Sequence, residues 1–241
     1  MTETSLTLQR AIDVLDYLAT VDEPQTLTRI ADAVNLSPAV AHRLLSTLKS
    51  RGLVLQEMPT RRYALGWRMM DYANRILSTM SIAPVIEPYL HLLRDRTQET
   101  VTYHVASGQA RVCVLEAESA QEVRRRVGIG RRVPLYAGAS GRAILAFLPE
   151  REQERVLAGL PDETRQRVEK LCQLTRESGY AMSQEESAKS VAALAAPVFG
   201  QQGEVVGAIS ISGPLFRWTE DAMRPHVSAL LEITKEISQM L

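Results

Sequence analysis

The side chains best suited to covalent chemistry are scattered along the chain. Ser140 stands in Gly138-Ala139-Ser140-Gly141-Arg142, but a nucleophile elbow needs glycine two positions after its serine, where this chain has Arg142. His91, His104 and His226 share no HExxH spacing, and no His, Cys and Asp lie at the intervals of a metal site. Cys113 and Cys172 have no CxxC partner and read as reduced structural thiols. Glu185-Glu186, following Gly179-Tyr180, reads as the charge at a helix start rather than as an acid/base pair. No catalytic residue, metal or cofactor is expected, and the chemistry left is reversible binding.

Two groups of residues suit binding. Residues 41–68 carry Arg43, Lys49, Arg51, Arg61, Arg62 and Arg68 against Glu57 alone, with His42 in addition, whereas residues 1–40 hold six acids against Arg10 and Arg29. In a chain whose 28 basic and 28 acidic residues cancel, such a segment is a local field that attracts phosphate, although a merely solvated face has the same composition. The second group is Ser210 and Ser212, whose hydroxyls fall on one face of a strand together with Val206 and Ala208. Ala192, Ala193, Ala195 and Ala196 leave space on the neighbouring strand, and the small turn before Ser140 offers backbone N–H groups to an anionic ligand. A tight alanine-lined core is the competing reading of these residues.

The elements that position the basic segment are three helices and a hairpin. Leu8, Ala11, Ile12, Leu15 and Leu18 predict a helix over 8–20. Thr26 caps a second helix, and Ser37-Pro38 starts a third that runs to Arg51 and stops at Gly52. On the third helix Ala41, Leu44, Leu45 and Leu48 must face the core, which turns Ala39, His42, Arg43, Ser46, Lys49 and Ser50 outward. Leu53–Gln56 and Arg62–Leu65 read as two short strands around Met58-Pro59-Thr60-Arg61. This is the pattern of a winged helix-turn-helix whose third helix enters the major groove of double-stranded DNA. The candidate DNA contacts are Ser37, Ala39, Val40, His42, Arg43, Ser46 and Lys49 on the helix, with Arg61 and Arg62 in the wing.

Trp67 to Met80 reads as a linker helix with an apolar stripe of Met69, Met70, Ala73, Ile76 and Leu77, suited to packing or to a dimer contact, and Ser81-Ile82-Ala83-Pro84 reads as the boundary after it. Beyond it the pattern mixes helices and strands: a helix over 85–97, strands over 100–106, 111–118 and 123–127, a helix over 141–147 begun by Ser140, and helices over 150–158 and 162–178. Strands over 192–199 and 204–212 and a final helix over 219–240 complete an α+β domain. The expected division is 1–66, 67–83 and 84–241, as 241 residues exceed one ordinary domain. With 45% apolar and 23% charged residues the composition is that of a globular protein. The uncharged stretch Val205–Phe216 is too short and too rich in Gly and Ser to cross a bilayer, and the N-terminus lacks a basic-then-apolar pattern, so a cytoplasmic protein without membrane contact is expected.

The ordered series Leu44-Leu45 after His42-Arg43, Arg62-Tyr63-Ala64-Leu65-Gly66, Val127-Gly128 with Val133-Pro134-Leu135, Ala139-Ser140-Gly141-Arg142-Ala143-Ile144-Leu145, Gly179-Tyr180 with Glu185-Glu186, and Ala195-Ala196-Pro197-Val198-Phe199 through Ile209-Ser210-Ile211-Ser212-Gly213-Pro214 resembles the IclR (isocitrate lyase regulator) family of bacterial transcription factors nearly end to end. The resemblance implies an N-terminal winged helix-turn-helix, a linker helix and a C-terminal GAF-like α+β domain that binds a small effector, often a carboxylate or aromatic compound, without catalysis. Members are typically homodimers or dimers of dimers on operator DNA. Carried over by position, the effector site uses the turn Ala139-Ser140, Ala193, Ser210 and Ser212, and the flanking Gly138 and Gly141 of the turn together with Ser183 complete the candidate site. Four positions depart from the family pattern: Ser183 replaces a common Asp, Ser190 a common Gly, and Ala39-Val40 a Ser-Thr pair. An enzyme with an appended DNA-binding domain and a DNA binder without effector are the alternatives.

Overall fold

Local capping chemistry sets the first three helices. The Oγ of Ser5 accepts the N–H of Leu8 at the start of α1 (Leu6–Thr20), Thr26 Oγ1 accepts that of Arg29 at α2 (Leu27–Ala33), and Ser37 Oγ that of Val40 at α3 (Pro38–Ser50). Pro38 occupies the first turn of α3, where no helical N–H bond is lost. The strands β1 (Val54–Gln56) and β2 (Tyr63–Leu65) form an antiparallel hairpin, and Gln25 adds a backbone bridge to Tyr63. Helix α4 (Arg68–Thr79) follows. Val14, Leu18, Ile30, Leu45, Leu48, Val54 and Tyr63 form the core of this unit. Gly66 is fixed by contact: a Cβ there would lie 2.1 Å from the carbonyl oxygen of Gly52, so no larger residue fits.

The computed structural model describes residues 5–79 and 82–241, and the chain divides into two compact units, 1–80 and 81–241. The expected boundary residue Ser81 and the side chain of Leu77 in the expected stripe lie outside the described residues. Of that stripe, Met69 is half-buried while Met70, Ala73 and Ile76 are exposed.

The second unit holds a six-stranded antiparallel sheet in the order β5-β4-β3-β8-β7-β6. In chain order the elements are α5 (Ala83–Thr97), β3 (Thr100–Ser107), β4 (Ala110–Ala117), β5 (Arg132–Pro134), α6 (Ala139–Leu145), α7 (Glu150–Leu157), α8 (Asp162–Ser178), β6 (Ala181–Gln184), β7 (Val191–Phe199), β8 (Val205–Pro214), α9 (Glu220–Met223) and α10 (Val227–Met240). One face of the sheet packs under α6, α7 and α8 around Leu135, Ala143, Leu145, Val168, Ala195 and Ala208. α5 and α10 pack on one another and on the sheet.

Four expectations are corrected here. Residues 123–127 form no strand, because Thr100 Oγ1 donates to the Arg125 carbonyl and the Glu116 carboxylate accepts the N–H groups of Val127 and Gly128, capturing the backbone with side chains. Glu185-Glu186 starts no helix; the pair lies in a turn between β6 and β7, with Glu185 at φ 56°. The helix after Gly138 begins at Ala139, and Gly138 at φ 81°, not Ser140, is its N-cap. The C-terminal helix is interrupted by a 3-10 turn, Arg224–His226, where Pro225 has no N–H to continue the ladder.

Candidate nucleic-acid interface and effector site

On α3 the apolar positions Ala41, Leu44, Leu45 and Leu48 are buried, and Ser37, Ala39, His42, Arg43, Ser46 and Lys49 are exposed, with Val40 half-buried. The hydroxyl of Ser37 is already engaged as the cap of its own helix. Arg61 and Arg62 are exposed at the tip of the hairpin, where the Glu57 N–H donates to the Arg62 carbonyl and the Arg61 N–H donates to the Glu57 carbonyl. A groove of about 450 Å³ between α3 and the wing brings together His42, Ser46, Lys49 and Arg61 with Gln56, Met58, Leu27 and Tyr63. Ala39, Val40, Arg43 and Arg62 lie outside that groove.

Gln56 was not foreseen from the sequence. Its Oε1 accepts from Lys49 Nζ at 3.0 Å and its Nε2 donates to the Arg61 carbonyl at 3.2 Å, so one amide ties helix to wing. Its place in a three-residue strand seven positions after Lys49 gave no periodic signal.

In the second unit the sheet register assembles the expected effector residues. Ser183, Ala193, Ser212 and Thr100 are directly paired across β6, β7, β8 and β3, and the next row is Ala181, Ala195, Ser210 and Thr102. Both rows lie on the α6 face, where the Ala139 N–H donates to Ser183 Oγ at 3.0 Å. Of the four alanines expected to make space, only Ala193 and Ala195 are on this face; Ala192 and Ala196 alternate to the other. Ser140, Gly141, Ser210 and Ser212 are buried, and Ser212 Oγ has no hydrogen-bond partner. Ser183 thus accepts a free N–H of the first turn of α6 through a neutral hydroxyl.

The start of α6 is more occupied than the sequence suggests. The Glu186 carboxylate accepts the Gly138 N–H at 3.2 Å and also pairs with Arg142, whose other Nη donates to the Met182 carbonyl. Arg142 is 2% exposed. A Cβ on Gly141 would stand 2.3 Å from the Leu135 carbonyl oxygen and 2.7 Å from Arg111 Nη1, so glycine is required where α6 passes the loop before it and the Arg111 side chain from β4. Arg111, His104, Arg142 and Glu186 were missed; the available signal was an arginine on the inward alternation of β4 and another inside the apolar run of α6.

His104 pairs with Cys113 across β3 and β4 and touches Thr102 Oγ1 through Nε2 at 2.9 Å. Burial, aided by the nearby positive charge of Arg111, lowers its pKa to about 3, so the ring is neutral at neutral pH. Burial and the like charge of Arg142 pull Arg111 down to about 10, which leaves it protonated. Cys113 and Cys172 are buried free thiols, and burial pushes them up to about 12 and 11. Among the described residues no group of His, Cys, Asp and Glu could hold a metal ion, and no helix is long and apolar enough to cross a membrane.

A winged helix with an exposed basic face, joined in one chain to an α+β unit with a buried polar sheet face, defines the class of bacterial DNA-binding regulators that carry an effector domain. Residues 7–57 match the IclR helix-turn-helix domain and residues 74–239 match the bacterial transcriptional regulator IclR C-terminal domain. The chain belongs to the IclR family of transcriptional regulators. It is 30% identical over 240 residues to the HTH-type transcriptional regulator BhcR of Paracoccus denitrificans, covering 96% of this chain and 85% of that one. It is 28% identical to the transcriptional repressor IclR of Escherichia coli, covering 96% and 88%. An IclR transcriptional regulator from Alicyclobacillus acidocaldarius has the same fold, with a TM-score of 0.81, 27% identity and coverage of 98% and 99%. These relatives are regulators, and this chain is a transcriptional regulator rather than an enzyme.

Proposed function

We propose that this protein is a cytoplasmic repressor that binds a near-palindromic operator as a homodimer, or a dimer of dimers, and is released by a small carboxylate or aromatic effector. The DNA-binding unit is residues 1–66, the linker helix 67–83 and the effector domain 84–241. The observation that carries the reading is the division of α3, whose apolar residues are buried while His42, Arg43, Ser46 and Lys49 face outward beside the wing arginines. His42 and Arg43 read bases or phosphates in the major groove, and Arg61 and Arg62 hold the backbone. Ala39 and Val40, without the hydroxyls common in the family, favour apolar contact such as a thymine methyl group.

One recognition helix reads few base pairs, so a second copy is required, and the exposed Trp67, Met70 and Tyr72 around α4 support self-association through that helix. The repressing mode is supported by the repressors among the relatives. The effector lies between the Gly138–Gly141 turn and the Ser210 and Ser212 wall, bounded by Ser183 and Ala193. Light scattering combined with footprinting tests this: a dimer protecting two half-sites is expected, and a monomer with full operator affinity overturns it. Ser140→Leu and Ser210→Leu are expected to abolish effector release with operator binding near wild type, and an unchanged response in both moves the pocket elsewhere.

A further inference from the structure

Arg111 is a buried cation without an anion. The side chain is 4% exposed and comes from β4 onto the α6 face of the sheet, the face that carries His104, Ser210 and Ser212. The other deeply buried charges of this unit have partners, Arg142 with Glu186 and Glu99 with Arg217. Arg111 forms no ion pair among the described residues. The two cations Arg111 and Arg142 thus share the single carboxylate of Glu186, which Arg142 and the Gly138 N–H already occupy. Leaving a guanidinium desolvated without a counter-charge is costly, and buried charges are ordinarily paired.

The geometry of its bonds shows which edge is available. Nη1 donates to the carbonyl oxygens of Pro134 at 2.8 Å and Ala137 at 2.6 Å, which fixes the plane of the group. Nε is buried with no partner, and the hydrogen bonds of the group among the described residues are those of Nη1. Nε–H and the adjacent Nη2–H point the same way and form the planar fork that receives both oxygens of a carboxylate. Two more orphaned atoms lie on this face, Nδ1 of His104 and Oγ of Ser212, both in side chains more than nine-tenths buried. His104 is neutral there and does not compete for an anion.

We infer that Arg111 is the anion receptor of the effector site: the effector is a carboxylate that docks side-on against Nε and Nη2, with its body extending along the sheet face toward Ser210 and Ser212. This rests on the effector site proposed above and moves the charge from the start of α6, where Gly138 and Ala139 have donated their N–H groups to Glu186 and Ser183.

The test follows thermal unfolding of the full chain at constant ionic strength, in chloride and then in millimolar acetate, succinate, benzoate and 4-hydroxybenzoate, each compared with its amide. A ligand that binds only the folded chain raises Tm by mass action. At least one carboxylate is expected to raise Tm by a few degrees with no effect of its amide, and a set in which no carboxylate does so, or in which amides match them, overturns the inference. Arg111→Gln is expected to lose the increment, while Arg111→Lys, which keeps the charge without the fork, retains it with affinity weakened about tenfold. An increment intact in Arg111→Gln assigns the residue a structural role only and overturns the inference. Ser210→Leu separates the two readings: loss in Ser210→Leu but not in Arg111→Gln leaves the pocket standing and removes Arg111, and an increment unaffected by either variant removes the pocket itself. If Arg111→Gln does not fold, the carboxylate-against-amide comparison in the wild type and the Arg111→Lys increment decide.

Discussion

The two units use arginine in opposite ways. Arg43, Arg61 and Arg62 stand in water on α3 and the wing, whereas Arg111 and Arg142 are sealed between α6 and the sheet. An exposed cation gains little from any one partner and is screened by salt, which suits a surface that must find, slide along and leave a polyanion. A sealed cation interacts strongly with whatever reaches it and tolerates no wrong charge, which suits discrimination among small molecules. On the proposed function, affinity in the first unit would be a sum over many weak contacts, and in the second it would hang on a few atoms.

The contrast makes removal of a buried partner the largest effect. Glu186→Ala leaves Arg142 unpaired and frees the Gly138 N–H, and is expected to destabilise the second unit by about 3–5 kcal/mol in urea unfolding. A loss below about 1 kcal/mol would place this pair with the exposed ones and erase the distinction. Next in size is acid sensitivity. The pKa of His104 is about 3 in the folded chain against an ordinary 6.5, so the unfolded chain takes up its proton first as the pH falls. The resulting stability is complete above about pH 6.5 and is lost downward toward pH 3, by about 3 kcal/mol at pH 4. The slope of stability against pH in His104→Gln should be flatter across that window by this amount.

Smaller effects are expected on the exposed side. Arg43→Ala should weaken operator binding by about 1–3 kcal/mol and relax specificity, while Arg62→Ala should weaken binding similarly on all sequences and lower the salt slope by about 1. Gel-shift titrations over a range of salt on operator and unrelated DNA separate the two. The smallest effect is a gain: Ser190 adopts φ 57°, a conformation that glycine enters at little cost, and Ser190→Gly is expected to stabilise the chain by about 0.5–1 kcal/mol. A loss on that substitution would show that the Ser190 side chain contributes more than its backbone conformation costs.

The sequence was most legible where structure is local. Caps at Thr26 and Ser37, the buried stripe of α3 and the left-handed end of α8 at Gly179 follow from residues within a few positions of one another. The pairing of Ser210 with Ser212 on one face followed from alternation alone, and resemblance to the family supplied Ser183 and Ala193. The strand β6 was missed because four residues, Ala181–Gln184, give no periodicity to read. Arg142 and Glu186 lie 44 positions apart, and Arg111 is held by carbonyls at the end of β5 and in the loop after it, 23 and 26 positions on. No local pattern announces such partners, and the chemistry they imply emerges only once the sheet has folded under α6. The strand expected over 123–127 failed for the same reason in reverse: distant side chains of Thr100 and Glu116 took the backbone groups that a neighbouring strand would have used.

The contact between Gly66 and Gly52 has a mechanical meaning. The Gly66 N–H donates to the Leu53 carbonyl, Arg68 Nη1 donates to that of Arg51 at 3.0 Å, and the two glycines leave no side chain to act as a cushion between the end of α3 and the start of α4. The corner is closed by backbone against backbone, so opening it would break these bonds. Twelve residues of α4 make a rod of about 18 Å that starts from this corner.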